Sequence, residues 1–223
     1  MGQKSTEDRI QRLEDIQEIH NVMGRYEHSL AAGDYDVAES CFALNTPGVR
    51  AEIGAGGVYE GAEGIRRLYS GLHGMIQGSQ KSGMIPGRVF RGQHTTPVVE
   101  VAGDGKTAKG IWYHPCDGAS PRKEDGKLEA TSLFGTRAAD FIKEDNQWKI
   151  WHYHVYILFK TSHGKSWVET DQLTSMLPPP DLPDELKPDR PTTYFWPYRP
   201  TTAPQPVPMI PEPYEIFDEK NAY

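Results

Sequence analysis

Two histidines stand beside consecutive strand-like runs of this chain. His94 lies in the segment GQHTTPVVEV, and His114 has a similar setting in GIWYHPCDG. An imidazole with a pKa near neutrality can accept and donate a proton, which contributes about 10²–10⁴-fold to a reaction rate. Two imidazoles in one dry pocket could therefore deprotonate a substrate and protonate a leaving oxygen. The alternative for both residues is structural hydrogen bonding.

A guanidinium interrupts the otherwise apolar strand FGTRAADFI at Arg137. Burying this charge is costly unless another group pairs with it. In a substrate pocket, Arg137 could hold a phenolate, or an alkoxide as its charge develops. The equally weighted alternative is a salt bridge to one of three acids, Glu52, Glu129 or Asp140.

A second pair of histidines, His152 and His154, occurs in the strand-like segment WHYHVY. Strand alternation places both imidazoles on one face, opposite Trp151, Tyr153 and Val155. An HxH pair can ligate a metal, but the glutamate expected a few residues later is replaced by YILFK, so a metal is not favoured. We expect one face to line the pocket and the other to pack on the helices or on a partner subunit.

Four further side chains could orient a substrate. Tyr59 follows a glycine pair, and Tyr113 adjoins His114, which favours both as substrate contacts. Tyr26 and His20 lie on or beside the apolar stripe of the first predicted helix. They are core residues in the alternative interpretation.

The composition limits the classes of function. The net charge of −7 and the pI near 5.6 disfavour a partner held through phosphate groups, so we expect no nucleic acid. No segment approaches the roughly 18 apolar residues of a membrane span, and Cys41 and Cys116 are too few for a disulfide framework. These features predict a cytoplasmic protein without a membrane partner. Phosphate-binding loops, GxSxG elbows and metal-binding motifs are absent from the sequence, which predicts no cofactor and no metal.

Hydrophobic periodicity predicts the elements that position these residues. An apolar stripe predicts a helix from Thr6 to Ala32, and Asp34 can cap a short second helix. A glycine-broken hairpin and a third helix, in AEGIRRLYSGLHGMIQ, follow. After Gly87 the period changes to two, and the predicted strands are Val89–Thr96 into Val98–Val101, Thr107–His114, Leu128–Ile142 and Trp148–Lys160. Helices followed by strands indicate an α+β domain.

The chain changes character near Trp167. Thirteen of the eighteen prolines fall between Pro178 and Pro213, which disfavours helix and sheet. A disordered tail is one interpretation. Aromatic residues in TTYFWPYRP and PYEIFD instead favour an extended arm lying on this subunit or exchanged with a neighbouring one. We therefore divide the chain into a domain of residues 1–166 and a Pro- and aromatic-rich extension of residues 167–223.

Three features together resemble the SnoaL-like branch of the NTF2-like superfamily. They are the small-Gly-Asp-aromatic turn in YEHSLAAGDYDVAESCF, the segment GVYEGAEGI that enters the third helix, and the acidic turn before WKI in EDNQWKIWHYHVYILFK. The resemblance covers about residues 8–162. It implies a cone in which a curved antiparallel sheet wraps three N-terminal helices around an apolar pocket. Members of this fold tend to form homodimers or higher homo-oligomers.

The scytalone dehydratase family on this fold matches residue by residue. Its two active-site histidines, in QH and YH, correspond to His94 and His114, and a strand Asn of that family falls on Arg137. The family's helix-one carboxylate would fall near Leu30–Ala31, where this chain has no acid. Glu27, one turn earlier, is the nearest candidate.

The resemblance and the missing motifs predict a cofactor-independent lyase for an aromatic, phenolic small molecule. His94 and His114 would move the proton, Arg137 would hold the anion, and Glu27 or a tyrosine would orient the substrate. The reaction would be a dehydration, or a deformylation like that of lyases acting on lignin-derived diaryl compounds. The alternatives are a polyketide-type cyclase or isomerase, and a non-catalytic ligand-binding or assembly protein.

Overall fold

The first helix, α1, has the bounds that the sequence predicts, Thr6–Ala32. In the computed structural model, which describes residues 5–122, 125–172 and 181–223, the Ser5 hydroxyl accepts a hydrogen bond from the Asp8 amide, 3.1 Å away. The Asp8 carboxylate accepts one from the Ser5 amide in return, which completes a capping box. Gly33 ends the helix in the left-handed conformation with φ 70°.

The other helices are short and surround a small hairpin. Helix α2 (Tyr35–Ser40) is followed by strands β1 (Arg50–Ile53) and β2 (Val58–Glu60). Next come helix α3 (Gly61–Arg66), a π-helical stretch (Arg67–His73) and helix α4 (Gly74–Gln77). The sequence predicts one regular helix where the π-helical stretch interrupts the structure. This local widening is common near functional sites.

Seven strands form one curved sheet in the described part of the chain. Beyond the two-residue hairpin of β3 (Gly78–Ser79) and β4 (Gly83–Met84), the remaining strands are β5 Val89–Gly92, β6 Thr95–Val101, β7 Thr107–Pro121, β8 Leu128–Glu144 and β9 Gln147–Ser162. The sheet order is β2-β1-β9-β8-β7-β5, and β6 also pairs with β7. The β1–β9 pair is parallel and the other pairs are antiparallel. The predicted α+β class with a curved sheet packed on helices is confirmed.

The apolar core lies between α1 and one face of the sheet, which we call the inner face. Met23 of α1 packs in this core with Trp112, Phe141 and Tyr153 of the sheet. The indole of Trp148 donates to the buried carboxylate of Asp15, 2.9 Å away, which ties the sheet to α1. Side chains on the inner face therefore point into the space between α1 and the sheet.

Residues 181–223 form little regular secondary structure. Residues 186–190 pack along the edge formed by β2 and the π-helical stretch, and residues from Thr192 onward lie on the opposite, outer face of the sheet. The Tyr198 amide donates to the Leu158 carbonyl at 2.7 Å, and the Tyr223 amide donates to Asp140 at 2.8 Å. The Thr192 and Thr193 hydroxyls both donate to Glu52. This extension is thus anchored on its own chain. No helix among the described residues is long and apolar enough to cross a membrane.

Candidate active site

A cavity of about 660 Å³ opens between α1 and the strands β5 to β7. Its walls combine apolar side chains with histidines and one acid; the lining includes His20, Met23, Glu27, Gly92, His94 and Trp112. This volume lies within the range of small-molecule sites. The cavity therefore has the size and the mixed lining of a substrate pocket.

Two titratable side chains, Glu27 and His94, line this cavity, and a third, the fully buried His114, packs against His94. Glu27 comes from the buried stripe of α1, His94 from the gap between β5 and β6, and His114 from the middle of β7. Glu27 Oε2 lies 3.8 Å from His94 Nε2, and the two imidazole centroids are 5.4 Å apart. The structure thus brings together three of the four residues that the sequence assigns to catalysis.

Gly92 makes this close approach possible. A Cβ atom at position 92 would lie 2.3 Å from Glu27 Oε1 and 2.1 Å from His114 Cε1. Both distances are shorter than real Cβ contacts, so any larger residue here would displace the carboxylate or the imidazole. The absence of a side chain at Gly92 is therefore part of the site geometry.

Arg137, the fourth predicted catalytic residue, is 6% exposed on β8, where it stands in register between Trp112 and Val155. It does not line the cavity wall, but its charge acts on Glu27 and on both imidazoles. Tyr153 lies on the adjacent strand, and its pKa also responds to Arg137. The guanidinium is thus buried next to the titratable groups.

The salt-bridge alternative for Arg137 fails for each acid that the sequence offered. Glu52 pairs with His154 and Asp140 pairs with Lys109, while Glu129 accepts from a serine hydroxyl. Arg137 Nε and Nη1 are buried without a hydrogen-bond partner within the described residues. The guanidinium therefore has hydrogen-bonding capacity left for a ligand.

The polar side chains around Arg137 also have unused hydrogen-bonding capacity. Buried polar atoms in proteins nearly always have a partner, because an unpaired one costs about 1–3 kcal/mol. Most of the unpartnered buried side-chain atoms among the described residues lie here, on Arg137, Glu27 Oε1, His94 Nε2, both ring nitrogens of His114 and the Tyr153 hydroxyl. The others are single atoms of Arg67, Arg88, His152 and His154. A ligand or water in the cavity could satisfy Glu27 and His94, which line it, while the atoms of His114, Arg137 and Tyr153 lie deeper.

Burial dominates the electrostatics of this cluster. It raises the pKa of Glu27, an effect that the nearby charge of Arg137 opposes. Burial and then Arg137 lower the pKa of His94 to about 3, and the same two causes lower the pKa of His114. Burial raises the pKa of Tyr153 to about 12. At neutral pH both imidazoles are therefore neutral and the phenol keeps its proton.

This arrangement suits proton transfer next to an anion-binding group. A carboxylate with a raised pKa is a stronger base than an ordinary one, and neutral imidazoles can donate hydrogen bonds or pass a proton on. The donor atoms of Glu27, His94 and His114 also lie within 4.8 Å of one another, so they could hold a metal ion. Both possibilities use the same three side chains.

Two of the predicted substrate contacts lie at or near the cavity. His20 lines it and packs edge-on against Trp112, with ring centroids 6.1 Å apart. Tyr26 is buried behind it, where its hydroxyl lies 2.9 Å from that of Tyr69. Tyr26 therefore holds the phenol network in place and does not itself line the cavity.

The structure does not bring Tyr59 or Tyr113 to the cavity. Tyr59 is buried with its hydroxyl donating to the Leu186 carbonyl at 3.0 Å. Tyr113 is 51% exposed on the outer face, because adjacent residues on a strand point to opposite sides and His114 points inward. There it lines a second cavity of about 340 Å³ beneath residues 194–207.

His152 and His154 also lie on the outer face. His152 Nδ1 contacts Asp140 at 2.8 Å, and His154 Nε2 lies 3.2 Å from Glu52. The sequence correctly predicts that they share a face, but that face carries the C-terminal extension and not the cavity. Both imidazoles are paired with acids there.

Sequence reasoning missed Tyr153, Trp112 and Gly92. Alternation could have found Trp112, which is two residues from His114 and so shares its face. Tyr153 shares the inner face with Val155, the register partner of Arg137. Nothing in the sequence signals Gly92, because its role depends on two side chains distant in the chain.

The fold and the pocket define an NTF2-like protein. Residues 11–154 match the model of the SnoaL-like domain, which is more than half of the chain. The chain therefore belongs to the SnoaL-like family, as the sequence resemblance predicts. No curated protein sequence matches it.

Several solved structures share the fold at low sequence identity. A candidate scytalone dehydratase from Novosphingobium aromaticivorans is 12% identical over 70% of this chain and 93% of its own, with a TM-score of 0.55. The hexachlorocyclohexane dehydrochlorinase LinA-type3 from Novosphingobium barchaimii is 14% identical over 72% of this chain and 99% of its own, also at 0.55. An NTF2-like superfamily protein from Salmonella enterica is 19% identical, covers 70% and 99%, and scores 0.50. These similarities establish the fold, and the function has to be inferred from the residues of the site.

Proposed function

We propose that this protein is a cofactor-independent lyase that acts by acid–base elimination on a phenolic small molecule, such as a lignin-derived diaryl compound. One observation carries the proposal: Glu27, His94, His114 and Arg137 converge with buried polar atoms that lack partners. A purely structural cluster would place an acid in close contact with each basic group, as the outer face does for Lys109, His152 and His154. A protein that only binds an apolar ligand has no need of them.

The structure changes the roles that the sequence suggests. Imidazoles whose pKa is lowered by burial are weak bases, whereas burial strengthens Glu27 as a base. We therefore assign proton removal to Glu27. The neutral His94, which lines the cavity, donates a hydrogen bond to a substrate oxygen, and His114 behind it relays the proton. Arg137 stabilises the phenolate or alkoxide as charge develops.

For a diaryl propane-1,3-diol the balanced reaction yields a stilbene, formaldehyde and water. The para-hydroxyl gives up its proton, the imidazoles relay that proton to the α-hydroxyl, and water leaves as a neutral quinone methide forms. Glu27 then takes the γ-hydroxyl proton, the bond to the γ-carbon breaks, and its electron pair restores the phenolate and forms the alkene. No oxidant or reductant is needed, so the available acid–base groups suffice.

Two further observations support an elimination on an aromatic substrate. The cavity wall includes the Trp112 ring, against which His94 packs with centroids 6.0 Å apart, so an aromatic ring can stack beside the acid–base groups. The dehydratase and dehydrochlorinase names of two similar structures both describe eliminations, which supports the reaction class.

The decisive experiment incubates the full chain with phenolic diaryl propanediols and follows formaldehyde release together with stilbene absorbance. Formaldehyde and stilbene in equal amounts support the proposal. Water loss without formaldehyde identifies a dehydratase, and ring closure or double-bond migration identifies a cyclase or isomerase. Binding of the dimers without any turnover overturns the assignment as an enzyme. His163→Ala, far from the cavity on the outer edge, is the matched histidine control and should turn over at the wild-type rate.

A further inference from the structure

The cluster of Glu27, His94 and His114 has the composition of a metal site as well as of a proton-transfer site. We propose that these three side chains bind one divalent transition-metal ion with the ligand preference of zinc, and that a bound ion blocks turnover. The binding half of this proposal stands on the geometry alone. The inhibitory half rests on the proposed function, because the ion would occupy the groups that move the proton.

The geometry needs only a small closure of the side chains. The donor atoms of the three residues lie within 4.8 Å of one another. Zinc bonds of about 2.0–2.2 Å place tetrahedral ligands roughly 3.4 Å apart. Rotation of the Glu27 carboxylate and the two rings could close this difference without moving α1 or the sheet, since no side chain among the described residues hydrogen-bonds to Glu27 Oε1, His94 Nε2 or the ring nitrogens of His114.

The donor set selects the type of ion. Two imidazoles and one carboxylate match the ligands of open zinc sites, in which a fourth position stays free for water or substrate. Magnesium and calcium prefer sites made entirely of oxygen ligands and should bind poorly here. The inference therefore concerns a borderline-soft transition metal.

The burial of the three side chains and their unpartnered polar atoms support a ligand-binding site. His114 is fully buried, and neither of its ring nitrogens has a hydrogen-bond partner among the described residues. The side chains of His94 and Glu27 are 8% and 9% exposed, and each has one unpartnered buried atom. Metal coordination would satisfy all three residues in one step.

Arg137 acts against the ion. Its guanidinium is buried near the cluster, and its positive charge lowers the affinity for a cation. An anion or hydroxide at the fourth position would offset this repulsion. The proposal therefore predicts that Arg137→Met binds zinc more tightly than the wild-type chain, an effect that an adventitious surface site would not show.

The binding test uses full-length protein freed of metal by a chelator and then titrated with zinc chloride against a chromophoric zinc indicator. We expect one ion per chain. Cobalt(II) in place of zinc should give the intense visible absorption of a tetrahedral site. Glu27→Gln and His94→Ala should each weaken zinc binding by more than about tenfold.

His163→Ala is the control for these variants, because it removes an exposed imidazole that lies 3.4 Å from Asp117 and could capture zinc by itself. It should leave the zinc affinity unchanged. Circular dichroism of each variant shows whether it folds, so that loss of binding by Glu27→Gln can be read even if a histidine variant is unstable. Equal zinc affinity in wild-type, Glu27→Gln and His94→Ala proteins overturns the site.

The inhibitory half is tested with the formaldehyde and stilbene assay. Stoichiometric zinc should abolish turnover, a chelator should restore it, and magnesium should have no effect. Activation by zinc overturns the inhibitory role. Zinc binding by a protein that turns over no diaryl substrate would contradict the proposed function and leave the metal site intact, so the two proposals fail separately.

Discussion

The two faces of the sheet bury similar side chains but differ in how closely acids contact them. On the outer face, Lys109 contacts Asp140 at 2.6 Å and Asp140 also contacts His152 at 2.8 Å. On the inner face, His94 Nε2 and both ring nitrogens of His114 have no hydrogen-bond partner in the described part of the chain, and Glu27 Oε2 is 3.8 Å from His94 Nε2. The same residue types thus hold the C-terminal extension on one side and remain available to a ligand on the other. Close contact with a carboxylate, 2.8 Å for His152 and 3.2 Å for His154, separates these structural histidines from His94 and His114.

The largest expected effect on turnover comes from a substitution on the inner face. Glu27→Gln should reduce turnover by about 10²–10⁴-fold, because the amide cannot take a proton. The melting temperature at neutral pH should rise, because burial raises the pKa of Glu27 and the folded state then carries a costly charge that Gln removes. Formaldehyde assays and thermal melts measure the two effects. Turnover within tenfold of wild type would exclude Glu27 as the base.

The equivalent carboxylate-to-amide substitution on the outer face should lower the stability and leave turnover unchanged. Asp140→Asn leaves Lys109 buried without its counterion, which should cost about 3–5 kcal/mol in the free energy of unfolding. Turnover per folded molecule should not change, because Asp140 points away from the cavity. Urea unfolding followed by assays below the transition checks this. Loss of activity without loss of stability would show that the two faces are coupled.

The pH dependence of stability should differ between the faces in protein freed of metal. On the inner face, His94 has a folded pKa of about 3 against an ordinary 6.5, so the unfolded chain binds the extra proton and stability falls from pH 6.5 towards 3. On the outer face, burial alone would raise the pKa of Glu52, but His154, Thr192 and Thr193 lower it from 4.5 to about 2. The stability due to Glu52 is therefore present above pH 4.5 and is lost as the pH falls towards 2.

Single variants separate these two pH windows. His94→Asn should flatten the stability profile between pH 6.5 and 3, and Glu52→Gln should flatten it between pH 4.5 and 2. Urea unfolding across this pH range measures both profiles. Identical profiles for the two variants would contradict the assignment of separate windows to the two faces.

The smallest effects come from two glycines that border the same cavity. Gly92→Ala should reduce turnover and destabilise the fold by about 1–3 kcal/mol, because its methyl group would overlap Glu27 and His114. Gly24→Ala on α1 meets no atom within 4 Å and should stabilise the helix by about 0.5–1 kcal/mol. Thermal melts of both proteins test the contrast. A neutral Gly92→Ala would show that the cavity is looser than the structure indicates.

Much of the fold could be predicted from the sequence, because the periods of its helices and strands are local. The stripe of α1 and its capping residues determine both of its ends. Alternation likewise separates His152 and His154 from Tyr153 on β9. What alternation cannot tell is which face lines a pocket, because both faces are covered here, one by α1 and the other by residues from the far end of the chain.

The candidate site shows the same limit. His94, His114, Arg137 and Glu27 were found from their types and from the family resemblance, and the structure places them together; their catalytic roles stay a prediction. Its proximity to His114 in the sequence predicts that Tyr113 contacts the substrate, but strand geometry directs adjacent side chains to opposite faces. The base strength of Glu27 depends on burial by elements distant in sequence, which the letters alone do not reveal.

The anchored extension constrains how this chain could associate with a second copy. Residues 181–223 cover Asp140, Glu52 and both outer-face histidines through contacts within one chain. A neighbouring sheet could stack on these strands only after the extension had peeled away and left several charges uncovered. With the extension in place, a second copy would therefore have to associate through another surface of the chain.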